Sequence, residues 1–270
     1  WYDVTGHQVG DIWKAGVGLA NASRPLVWLG LIGCTLQIYF DFSGYSDMAI
    51  GLGHMFGFSF PENFNYPYYA VSVSDFWRRW HITLSSFFRD YLYIPLGGNR
   101  KNWALNMLIV WLLTGLWHGA SWNFVLWGLY YFVFLMLEKM YIGKFLEKLP
   151  RAVGHIYSLI VIIIGWVFFY FDDLSKIKYF FKAAFGAANG FVTLTEKTVI
   201  VNYAVLLIIG AVCAMPLLPR IKNFACSLSK TRSGKVTVDV LSVLFVIFSL
   251  AISTASLVGN SYNPFLYFRF

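Results

Sequence analysis

Trp103 to Leu137 reads WALNMLIVWLLTGLWHGASWNFVLWGLYYFVFLML, and it holds no Asp, Glu, Lys or Arg. About 20 apolar residues carry a helix across the hydrocarbon core of a bilayer. This run of thirty-five is therefore too long for one upright span. A polar break, His118-Gly119-Ala120-Ser121-Trp122-Asn123, divides it. The pattern predicts two apolar helices that meet near His118. The first, Trp103 to Trp117, is short for a crossing. A short helix suits a protein that thins the membrane or encloses a cavity.

Working outward, three more runs predict spanning helices. Val153 to Phe171 is almost unbroken, Val199 to Leu218 carries no charge, and Val236 to Val258 carries only Asp239. Pro25 to Phe58 opens as an apolar helix, Leu26 to Phe40, and then carries Asp41, Ser43, Ser46 and Asp47, punctuated by Gly44, Gly51, Gly53 and Gly57. Such a segment is tolerated at membrane depth only when buried in protein or lining a wet cavity. The glycines suit close helix packing; they lack the strand and the spacing of a dinucleotide fingerprint. Pro61 to Arg100 is more polar. Ser74 is a candidate cap for a helix from Asp75. Phe76, Trp80, Leu84 and Phe87/Phe88 would give that helix one apolar face, the pattern of an amphipathic interfacial helix.

Composition agrees. The chain of 270 residues is 58% hydrophobic, 20% aromatic and 13% charged, against about 25% charged in soluble domains. This excludes an ordinary soluble fold. The net charge of +8 would suggest nucleic acid in a soluble protein. Here the bases sit in short segments between apolar runs, where lipid headgroups and the positive-inside bias act. Membrane lipid is therefore the expected partner, and nucleic acid is not. Lys139, Lys144, Lys148 and Arg151 lie in one loop; Arg220, Lys222, Lys230, Arg232 and Lys235 lie in another, two crossings later. These loops share a side, which charge assigns to the cytoplasm, leaving Asp172 to Thr198 outside. Cys34, Cys213 and Cys226 give no disulfide framework. The five histidines show no metal-ligand spacing, so neither a metal nor a bound cofactor is expected. The first residues, Trp1-Tyr2-Asp3, lack an initiator Met, and the chain is expected to be the carboxyl-terminal part of a longer protein. Residues 1–270 read as a single membrane domain, with a motif-bearing catalytic region at 37–130 and carboxyl-terminal transmembrane helices at 153–258.

His118 is the focus of the chemistry. An ionisable residue between two apolar helices is costly and by default functional. A neutral imidazole is the cheapest such group and a ready general base. The alternative is a buried histidine bonded to a neighbouring helix. His81, in FWRRWHITLS, can assist His118, orient an acceptor or contact a donor; it can equally be packed among aromatics. Arg78 and Arg79 point about 100° apart on a helix. One can bind a phosphate-bearing donor; headgroup binding or an ion pair with Asp75 is the competing reading. Asp41 and Asp47 suit a proton relay or architectural pairing. His7, His54 and His155 have no polar company that points to chemistry.

Three blocks together resemble the signatures of the membrane-bound O-acyltransferase family. They are Tyr39 to Gly51 (YFDFSGYSDMAIG), Phe76 to Ser85 followed by Phe88 to Arg100 (FRDYLYIPLGGNR), and Gly115 to Trp122 (GLWHGASW). The closing Asn263 to Phe270 (NPFLYFRF) resembles the end of the bacterial branch that acetylates alginate and other polysaccharides. The resemblance implies an all-α multi-pass bundle with short, broken and re-entrant helices around a central cavity, preceded in the family by further amino-terminal helices. It implies an acyl thioester donor, such as acetyl-CoA, as co-substrate and a hydroxyl acceptor. The family's central histidine falls at His118 and its second motif histidine at His81. Arg78, Arg79, Asp41, Asp47 and Asn123 are the candidate substrate-binding residues, with Asn123 or His81 as guesses for oxyanion donors. The branch further implies the bacterial inner membrane, a polysaccharide acceptor and a periplasmic or surface SGNH-type acetyltransferase partner. D-alanyl transfer to teichoic acid by a related branch remains an alternative. So do a non-enzymatic transporter of a lipid-linked group and a structural subunit.

Overall fold

The computed structural model describes residues 22–186 and 192–258. His7 and the closing Asn263 to Phe270 lie outside them. The described residues are helical and contain no strand. In chain order the helices are α1 (Arg24–Met55), α2 (Val73–Trp77), α3 (Ile82–Phe88), α4 (Trp103–His118), α5 (Trp122–Leu137), α6 (Gly143–Leu146), α7 (Arg151–Tyr170), α8 (Leu174–Phe185), α9 (Leu194–Cys213), α10 (Leu218–Leu228) and α11 (Arg232–Val258). A π-helical turn, Glu138–Ile142, joins α5 to α6. Five segments are long and apolar enough to cross a membrane: Arg24–Met55, Trp122–Leu146, Arg151–Tyr170, Glu196–Cys213 and Arg232–Ala255. The fold is thus all-α and multi-pass, with α4 as a shorter apolar helix beside them.

The polar residues after Phe40 stay within α1, which runs for 32 residues from Arg24 to Met55. At 1.5 Å per residue it is roughly 48 Å long, more than a bilayer core of about 30 Å. Ser43 and Ser46 stay helical because they are turned into the protein and buried there. Pro25 sits in the first turn, where its missing N–H costs nothing. One expectation, the amphipathic helix, needs correction. It is two short helices, α2 and α3, separated by a break in which His81 takes a left-handed conformation (φ 43, ψ 54). The cap of α2 is Ser72, whose hydroxyl accepts from Asp75 N–H at 3.0 Å, two residues earlier than the expected Ser74.

The core forms where α2 inserts among α4, α5 and α7. Trp77 of α2 lies with its ring centroid 4.8 Å from Trp111, 4.8 Å from Tyr131 and 5.5 Å from Trp127, all edge to face. Trp80 and Phe76 extend the cluster to Trp166 of α7. Such pairs contribute about 0.5–1.5 kcal/mol each beyond burial. They matter here because helix association inside lipid has no bulk hydrophobic drive. At the rim the pattern reverses. On α11, Val243, Leu244, Phe245, Val246, Ile247 and Phe248 are all exposed. Six consecutive residues cover every side of a helix, so α11 is apolar around its circumference, as a lipid-solvated helix must be.

α4 and α5 form a tight antiparallel pair through reciprocal glycines. A methyl group at Gly115 would collide with Phe124 O, and one at Gly128 with Trp111 O. Backbone, not a flexible side chain, stands in the way. Gly115→Ala and Gly128→Ala are each expected to destabilise the protein by about 1–3 kcal/mol, read as a lowered thermal midpoint in detergent. Gly44→Ala, where an added methyl would meet nothing outside its own stretch of helix backbone, is the control and leaves the midpoint equal or higher. Equal midpoints for all three variants would contradict this packing.

Candidate active site

The site is assembled from the irregular stretch between α1 and α4. Backbone that leaves the helix in an apolar setting needs partners within the protein, and two buried residues supply them. Glu138, at the end of α5 and only 5% exposed, accepts from Val73 N–H at 2.5 Å, Ser74 N–H at 2.8 Å and the Ser74 hydroxyl at 2.7 Å. Its carboxylate thus takes up free N–H groups of the first turn of α2, where a negative charge is also favoured by the helix dipole. Asn63 holds the other end, receiving Ile82 N–H on its backbone carbonyl at 3.0 Å. Asn65 N–H bonds Arg79 O at 2.9 Å. The stretch at 63–65 and the turn at 79–82 are therefore laced together, and His81 sits at the turn.

His118 is the last residue of α4. Its ring is half-buried among Trp117, Trp127 and Phe169, with centroids 4.9, 5.1 and 5.1 Å away, all edge to face. Its ring nitrogens bond to no described residue. His118 and His81 line one cavity of about 270 Å³, which also receives Arg78, Ser85 and Thr114. His81 is placed by a hydrogen-bond distance of 3.2 Å from Nδ1 to Asn63 Oδ1 and by an edge contact with Phe42 at 4.6 Å. Burial pushes the His81 imidazole down to about 4, so the ring is neutral near pH 7.

The other candidates are distributed. Arg78 faces this cavity, whereas Arg79 pairs with Asp75 at 2.8 Å, four residues back. Asp41 lines a second, apolar cavity of about 380 Å³ between α1 and α9. Asp47 is exposed on α1. Asn123 is buried, and its amide donates to Phe168 O at 3.3 Å, so it ties α5 to α7 outside the His118 cavity lining. His155 faces Ala70 O at 3.1 Å. Sequence reasoning gave no role to Thr114, Ser85 or Asn63. Thr114 precedes His118 by one helical turn, a spacing that brings the two residues to one face. Asn63 had no local signal, because its partners lie 17 to 20 residues away.

Comparison with known proteins bears on this geometry. The model of the membrane-bound O-acyltransferase family matches residues 22–181. A protein of Azotobacter vinelandii named "Probable alginate O-acetylase AlgI" is 36% identical over 280 residues, covering 93% of this chain and 56% of that protein. A peptidoglycan O-acetyltransferase of Helicobacter pylori is 43% identical over 165 residues, 59% of this chain and 31% of its own. A teichoic acid D-alanyltransferase of Bacillus subtilis is 35% identical over 117 residues, 40% of this chain and 30% of its own. The chain spans about half the length of the Azotobacter protein.

The role given to Glu138 is open to measurement. Glu138→Ala leaves buried donors of α2 unsatisfied and is expected to cost about 1–3 kcal/mol, seen as a lower thermal midpoint in detergent. Glu138→Gln keeps one acceptor oxygen and should fall between. A Glu138→Ala protein as stable as the parent would show that the carboxylate does not hold α2.

Proposed function

Because this chain belongs to the membrane-bound O-acyltransferase family, we propose that it transfers an acyl group, acetyl in the first instance, from a thioester to a hydroxyl. The observation that carries the reading is the shared cavity, with two histidines of the family motifs on its wall. A hydroxyl is a weak nucleophile until a base takes its proton. His118, with ring nitrogens unbonded to any described residue, is that base. The hydroxyl oxygen attacks the thioester carbonyl as its proton passes to the imidazole. The C–O bond forms, the C–S bond breaks, and the proton is returned to the sulfur. Ester and free thiol leave, with atoms and charge conserved. Arg78 in the same cavity gives a phosphate-bearing donor such as acetyl-CoA a cationic partner.

The acceptor we assign is an extracellular polysaccharide, and the site of action the bacterial inner membrane. A periplasmic or surface SGNH-type partner would complete delivery. The likeness to the Azotobacter protein, which runs along 93% of this chain, supports this over D-alanyl transfer. The likeness to the D-alanyltransferase covers only 40%.

His118→Ala is expected to lower acyl transfer by about 10²–10⁴-fold in membranes assayed with labelled acetyl-CoA, with expression and insertion unchanged. Transfer at the parental rate would overturn His118 as the base.

A further inference from the structure

Asn63 is 9% exposed, and its side chain meets four polar groups. Oδ1 lies 3.2 Å from Thr83 N, 2.8 Å from Thr83 Oγ1 and 3.2 Å from His81 Nδ1, while Nδ2 lies 3.2 Å from Ser46 Oγ. Chemistry decides which end of the amide faces Thr83. A backbone N–H can only donate, so the atom opposite it is the oxygen. That oxygen carries no hydrogen and can only accept. Its contact with His81 is therefore a hydrogen bond only when Nδ1 holds the proton. Thr83 Oγ1, 3.5 Å from Nδ1, is consistent with this, since its own hydrogen is directed to Asn63. A neutral imidazole has one N–H, so Nε2 is left with its lone pair. Nε2 is buried and bonded to no described residue.

We infer that Asn63 is a positioning residue that fixes His81 in the Nδ1–H tautomer, presenting Nε2 to the cavity as a hydrogen-bond acceptor. In this state His81 receives the hydrogen bond of the incoming hydroxyl and orients it toward His118. It cannot donate to the oxyanion, a role that falls to another group. The consequence for rate rests on the acyl-transfer reading; the tautomer does not.

The test reads the ring directly. The full chain, labelled with nitrogen-15 at histidine, is examined in detergent at neutral pH, and the His81 signals are identified by their loss in a His81→Gln variant. The expected pattern is a protonated Nδ1 and a bare Nε2. The reverse pattern in the unaltered protein overturns the inference. Because no turnover is needed, this outcome is distinct from failure of the acyl-transfer reading. Asn63→Leu is expected to shift His81 toward the Nε2–H form and to lower kcat by roughly 10²-fold, with KM for acetyl-CoA little changed. Asn63→Asp keeps an oxygen before Thr83 N–H and Nδ1, and should retain the tautomer and recover most of the rate. An unshifted tautomer in Asn63→Leu, or Asn63→Asp no better than Asn63→Leu, also overturns it. If Asn63→Leu fails to fold, the spectrum of the unaltered protein and Asn63→Asp still decide.

Discussion

Irregular backbone in an apolar setting has to be hydrogen-bonded from within, since lipid offers no partners. Everything around the candidate site answers to that constraint. Between α1 and α4 the chain leaves the long helices, doubles back and forms two short ones. Glu138 reaches in from the end of α5 and satisfies the start of α2. Asn63 satisfies the turn at His81 through both its backbone and its side chain. Ser72 and the Asp75–Arg79 pair close what remains locally. Once these bonds are made, Trp77 and Trp80 are driven into the aromatic core, and Arg78 and His81 are left on the cavity wall.

Much of the frame was legible from length and polarity alone. The two helices meeting near His118 appear as α4 and α5, within about one residue of the polar break. The spans at Val153, Val199 and Val236 correspond to α7, α9 and α11. The ion pair of Asp75 with Arg79 is a matter of helical spacing and could be anticipated. What failed to show has a common cause. Polar residues in α1 pointed to burial in protein without showing which of them, here Ser43 and Ser46, are turned inward. The apolar spacing of Phe76, Trp80 and Leu84 continues across the break at His81, although only Phe76 and Trp80 of the three are buried in the core. A single residue of positive φ leaves no trace in such a pattern.

The same limit applies to the site. Motif position singled out His118, His81 and Arg78, which share a cavity, but also Asp41 and Asn123, which do not line it. A polar residue among apolar ones advertises burial, not the cavity it belongs to. Asn63 and Glu138 show the converse. Their partners lie up to 65 residues away, so their roles exist only in the folded chain.

His118 closes α4 as its final residue, and this location has an electrostatic consequence. The last carbonyls of a helix have no intrahelical donor and together act as a partial negative pole. In the proposed reaction the imidazole becomes a cation at the moment the hydroxyl gives up its proton. The terminal carbonyls of α4 then stand beside a transient positive charge in a medium with little screening. A base mounted mid-helix would face that charging event without such support.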